Sequence, residues 1–177
     1  IFRSAVIALT AIATYWAPAA QAQKTVRIHD YPGLGNFLAR VANANGLCEK
    51  HGIKCELRPF SSGPLGLQTL MGGDIEIALP TAESTIQLAN KGADIKVIGS
   101  GARSPVYFLI AASGMDLPNK AKGYPALMQD FKGKKIGVSS RGSGSEYALK
   151  EMLLDAGMKI DDVTVVAVGA ANTAMPA

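Results

Sequence analysis

The stretch VSSRGSGSEYALKEML, residues 138–153, runs from a strand end through a loop of serine and glycine into an amphipathic helix. The chemistry open to such a loop is donor chemistry. A helix N-terminus leaves backbone N–H groups unpaired and carries a partial positive charge. Glycine lets a ligand approach the backbone and serine adds hydroxyl donors, so an oxyanion is the natural occupant. Four further loops share this character: DYPGLGN at 30–36, FSSGP at 60–64, PTAES at 80–84 and SGARSP at 100–105. Together they nominate Tyr31, Gly35, Asn36, Phe37, Ser61, Ser62, Thr81, Ala82 and Arg103 as ligand-binding residues, joined by Ser140, Arg141, Gly142, Ser143 and Gly144 of the first stretch. Arg103 and Arg141 are the cationic candidates. Tyr31 and Phe37 would pack the organic part of a solute, Phe37 being equally suited to a core. Because Ser, Thr, Asn and Gly are also ordinary cap and turn residues, the argument rests on five such loops occurring together.

Other chemistries lack their parts. GLGNFL places Gly33 and Gly35 correctly for a dinucleotide fingerprint but has Leu38 at the third position, and GSGSEY has Gly142 and Gly144 but Tyr147, with no phosphate-loop lysine after either. A serine-hydrolase elbow is not present, and His29 and His51, the two histidines, read as strand-end or surface residues. No catalytic residue, cofactor or metal site is therefore expected. The formal charge of +4 and pI near 9.1 come from scattered Lys and Arg, without a basic stripe interleaved with aromatics, which argues against nucleic acid.

The elements that must position these loops follow from periodicity. Val26 and Ile28 alternate in a short strand, a helix follows using Leu38, Val41 and Ala42, and Ile53, Cys55 and Leu57 alternate again. A short helix with Leu67, Leu70 and Met71 inward leads to a strand at Ile75, Ile77 and Leu79, then a helix over 81–90, a strand over 95–98 and an apolar strand over 106–112. After a loop rich in Gly, Pro and Lys, a second alternation begins: helix 126–130, strand 135–138, helix 145–156 closed by Gly157, strand 163–168. Strands alternating with helices of this length form a parallel sheet, and in open sheets of that kind ligands bind beyond the carboxyl ends of the strands, where the five loops lie.

Residues 1–22 differ: Arg3, an apolar run over 5–12, Tyr15 and Trp16, then Ala20-Gln21-Ala22 give the pattern of a cleaved secretory signal, with an uncleaved anchor as the alternative. No later run is long enough to cross a bilayer as a helix. Export favours a disulfide between Cys48 and Cys55; a zinc site that included His51 would lack an obvious fourth ligand. The chain begins at Ile1 without methionine and stops just after a strand-like run, so a fragment is expected at both ends.

Taken in order, YPGLGNFLARVANANGLCEKHGI, PFSSGPLGLQTLMGGDIEIAL, NKGADIKVIG and FKGKKIGVSSRGSGSEYALKEMLLDAGM resemble the extracytoplasmic substrate-binding proteins of ABC importers, in the group for nitrate, sulfonate and taurine. The resemblance covers nearly all of the chain from Lys24. It implies a two-lobed α/β fold of the periplasmic-binding-protein type II, with residues 23–112 as most of lobe one and 113–177 as the first part of a truncated lobe two. It also implies a periplasmic monomer that captures a small anion and hands it to an ABC permease and, through it, an ATPase. The alternatives are an enzyme on the same scaffold, of the pyrimidine-precursor synthase type, and a ligand-sensing domain of a membrane receptor.

Overall fold

The computed structural model describes residues 23–104 and 107–174. The expected signal segment lies outside them, as does the start of the apolar run at Val106. Strands β1 (Lys24–Asp30) and β2 (Ile53–Pro59) pair in parallel, with Ile28 opposite Leu57. They are connected through a 3-10 turn, helix α1 (Phe37–Ala44) and the short helix α2 (Leu47–Lys50). A disulfide joins Cys48 on α2 to Cys55 on β2, with the α-carbons 5.8 Å apart, and holds the crossover onto its strand. Helix α3 (Gly63–Met71) starts on Ser62, whose Oγ accepts the Leu65 N–H at 3.4 Å.

The strand expected at Ile75–Leu79 is reduced to one parallel bridge, Ile28 to Ile77. The amides of Glu76 and Ile77 donate to Arg27 O, and the His29 amide donates to Ile77 O at 2.8 Å. The ladder then stops because the Leu79 N–H turns to the His29 side chain, reaching Nδ1 at 3.4 Å instead of a backbone carbonyl. Beyond helix α4 (Ala82–Asn90), residues 95–98 do not form the expected strand. Val97 is 76% and Ile98 81% exposed, and no neighbouring strand among the described residues pairs with them. An alternating apolar pattern becomes a strand only where a ladder partner satisfies its backbone.

The described part of the expected strand 106–112 is also extended without a partner. It keeps the two-residue alternation all the same: Leu109 and Ala111 pack against the second hydrophobic core, while Phe108 and Ile110 face outward. Two inward positions are corrected as well. Leu38 is 60% and Met71 48% exposed, because α1 and α3 are short and each covers its strands along a narrow face.

The second alternation has the expected form. Strands β3 (Lys135–Val138) and β4 (Thr164–Ala167) pair in parallel across helix α5 (Gly144–Asp155), and a four-residue helix α6 (Ala171–Ala174) follows. The expected helix at 126–130 is a 3-10 helix, Ala126–Phe131, after a cis Tyr124–Pro125 bond. Its Met128 and Phe131 are buried with Ile136, Val138, Leu149, Leu153, Met158 and Val163. Gly157, at φ +71°, ends α5 in the left-handed conformation that closes a helix, with the Met158 N–H returning to Leu153 O.

Candidate functional site

Three helices begin at one place. Gly63, the first residue of α3, has Pro80 and Thr81 within ordinary contact of where a β-carbon would stand, the nearest Pro80 atom at 3.6 Å. Thr81 precedes α4, and its side chain sits against Gly144, the first residue of α5, where an added β-carbon would lie 2.7 Å from Thr81 Cγ2. The Tyr107 hydroxyl also closes on Gly144. Glycine at 144 is required here for close approach, since any side chain would separate α4 from α5. The two are further joined by Ser84 Oγ, which donates to Gly142 O at 3.0 Å and contacts Thr81 Oγ1 at 3.2 Å. Gly142 turns the loop at φ +73°, a conformation that suits glycine.

The donors at this junction are only partly used. Among the described residues no backbone acceptor meets the amides of Ala82 and Glu83 at the head of α4, or of Gly144 and Ser145 at the head of α5. Ser140 Oγ and Gln87 Nε2 are buried with no hydrogen-bond partner among the described residues. Ser143 is consumed structurally: its Oγ accepts from the Glu146 amide and contacts Ser145 Oγ at 2.9 Å.

Electrostatics is set by a carboxylate inside the loop. Glu146 is 5% exposed; its Oε2 accepts the Gly142 N–H at 2.6 Å and its Oε1 lies 2.8 Å from Arg141 Nη1 and 3.8 Å from Lys150 Nζ. Burial pushes its pKa up, but the Gly142 amide, Arg141 and Lys150 outweigh that and leave it below the usual glutamate value. Arg141 also donates to Val165 O, so its guanidinium reaches toward β4. Tyr107 is raised above the ordinary phenol, first by burial and then by the negative charge of Glu83.

The nominated residues thus divide. Ser62, Thr81, Ala82, Ser140, Gly142, Ser143 and Gly144 lie on the loops and helix heads of the junction. Ser61 is exposed just before it. Asn36 is 3% exposed and uses its Nδ2 to hold His29 O at 3.1 Å, at the end of β1. Tyr31 presents its carbonyl to Arg40, Gly35 is exposed, and Phe37 is 55% exposed and no part of the core. Arg103, with Ser100, Gly101 and Ala102, lines a separate concavity open to solvent.

Several residues here escaped sequence reasoning. Ser143 and Glu146 have the S-x-x-E spacing of a capping box, which was a usable signal for Glu146. Tyr107 and Gln87 gave none, because their proximity depends on how the two cores meet. His29 stands at the end of β1, as expected, but is no surface residue. It is fully buried, edge-on to Phe60 with ring centroids 5.3 Å apart, and packed so tightly against Gly66 that a β-carbon there would overlap the imidazole. Burial lowers its pKa.

Two parallel α/β units with helix heads gathered between them fit a periplasmic-binding-protein fold, and solved structures of that fold superpose on the chain. A Bordetella bronchiseptica protein of solved structure superposes with a TM-score of 0.55 at 26% identity, over 82% of this chain and 45% of that one. The periplasmic aliphatic sulphonate binding protein SsuA of Escherichia coli gives 0.54 at 23%, over 81% of this chain and 46% of its own. The alkanesulfonate-binding protein SsuA of Xanthomonas axonopodis pv. citri, solved with MOPS, gives 0.56 at 22%, over 84% and 48%. The chain belongs to the NMT1/THI5-like family, whose model matches residues 38–177. Proteins of Brucella abortus and Brucella suis, provisionally named as binding proteins, are each 33% identical over 132 residues. This chain spans 37% of their length.

Proposed function

We propose that this chain is part of a periplasmic solute receptor of an ABC import system, which captures a small oxyanion of the sulfonate, nitrate or taurine kind between two lobes and delivers it to a permease. The observation that carries the reading is the meeting of the heads of α3, α4 and α5 around Thr81, where no backbone acceptor among the described residues meets the amides of Ala82, Glu83, Gly144 and Ser145. Capture at micromolar level needs about 8 kcal/mol, and a hydrogen bond to a charged group contributes roughly 1.5 to 3 kcal/mol before the cost of association. One helix head is too little; both lobes must contribute, which couples capture to closure. The first lobe ends near residue 112, with Leu109 and Ala111 already leaning on the second core. The names of the Escherichia and Xanthomonas relatives support sulfonates as the first ligands to try. The receptor works as a monomer, without cofactor, and makes or breaks no bond in the solute.

Calorimetric titration of the full-length protein with methanesulfonate, taurine and nitrate tests this. Saturable binding of one of them, with no product formed, is the expected result. Binding only of a neutral heterocycle, or turnover of the ligand, would overturn it.

A further inference from the structure

The charges at the junction cancel. Two cations, Arg141 and Lys150, both approach the buried Glu146 carboxylate, at 2.8 and 3.8 Å. A second carboxylate, Glu83, stands in the first turn of α4, and its field reaches Tyr107. Arg141 is occupied on Nη1 by Glu146 and on Nη2 by Val165 O. The Gly142 amide, which the loop sequence alone would offer to a ligand, is also taken by Glu146. What remains for a solute is dipolar: helix heads worth about half a positive charge each, plus neutral N–H and O–H donors. Two or three such heads together balance about one negative charge. Among the described residues a second negative charge would have no counterpart there and would face Glu146 and Glu83.

We propose that Glu146 sets the charge class of the solute: by engaging both Arg141 and the Gly142 amide it restricts the junction to singly charged oxyanions and rejects doubly charged ones of similar head-group geometry. This rests on the oxyanion reading above. Methanesulfonate and sulfate present similar tetrahedral oxygens and differ by one charge, so their relative affinity isolates the effect. Near a protein surface a unit charge within several ångströms of a ligand changes binding by about tenfold or more, and acts twice as strongly on a dianion.

In full-length protein, titration calorimetry is expected to give tighter binding of methanesulfonate than of sulfate. Glu146→Gln, which keeps the size and releases Arg141, shifts the ratio toward sulfate by about tenfold. Arg141→Gln leaves the carboxylate with Lys150 as its one cation among the described residues and shifts it the other way; thermal melting of both variants confirms folding, and either one alone carries the test. Methanesulfonate binding with a ratio unchanged in the folded variants, or sulfate binding as tightly as methanesulfonate in the parent, would overturn the role of Glu146 and leave the oxyanion reading standing. Binding of neither ligand, with capture of a neutral solute instead, would overturn both.

Discussion

Gly144→Ala is the sharpest perturbation available at the junction. Gly144 is the first residue of α5 and does not need a left-handed backbone, so alanine is compatible with the helix itself. The conflict lies across the gap, where the new β-carbon would lie 2.7 Å from Thr81 Cγ2 and 2.8 Å from Thr81 Oγ1. The Tyr107 hydroxyl, at the far end of a long side chain, can swing aside. Thr81 is short, and its position is fixed by the start of α4 and by contact with Ser84. The head of α5 must therefore retreat from that of α4. Overpacking of this kind costs about 1 to 3 kcal/mol. If solute is held by both heads, the loss appears as about five- to a hundredfold weaker binding. Calorimetry on the full-length protein reads it, with Thr81→Ala and the double variant completing a cycle. Partial recovery in the double variant relative to Gly144→Ala is expected, since the overlapping Thr81 atoms are gone. Unchanged affinity and melting temperature in Gly144→Ala would refute the close approach of the two helices.

Other perturbations separate the supports of the site. Gly66→Ala drives a β-carbon into the ring of fully buried His29, and should lower stability by about 1 to 3 kcal/mol in a thermal melt; an unchanged melt would mean the imidazole is free to move. Replacing Cys48 and Cys55 by serine removes the cross-link of a short loop and should cost about 2 to 3 kcal/mol by loop entropy, measured by urea unfolding with and without reductant. Glu76 is held at a pKa of about 2, below its ordinary 4.5, first by the Arg27 side chain and then by the Arg27 amide. A depressed folded-state pKa gives stability that is present above the unfolded value and lost as pH falls through the folded one. The fold should therefore weaken between about pH 4.5 and 2, and Glu76→Gln should flatten that part of the stability profile.

The sequence was most legible where local signals and tertiary demands agree. The 145–156 helix is found one residue earlier, at Gly144–Asp155, because its cap serine, its apolar face and its closing glycine all point the same way. The loops at the heads of α3, α4 and α5 were legible as helix starts for the same reason: helix heads need caps, and caps are small and polar. The strands at 95–98 and 106–112 were not, because periodicity identifies a segment that can pair but says nothing of whether a partner stands beside it. Charge was harder still. Arg141 reads as a cation at the loop, but its pairing with Glu146, five residues on, depends on the fold. Tyr107 and Gln87 reach the junction only through the meeting of two cores, which no local pattern encodes.

The most direct measurement is of the backbone amides themselves, by nitrogen-resolved NMR of the full-length protein titrated with methanesulfonate. The heads of α4 and α5 together should respond, with Ala82, Glu83, Gly144 and Ser145 shifting along one saturation curve. Saturable binding that leaves those four amides unmoved would contradict the account.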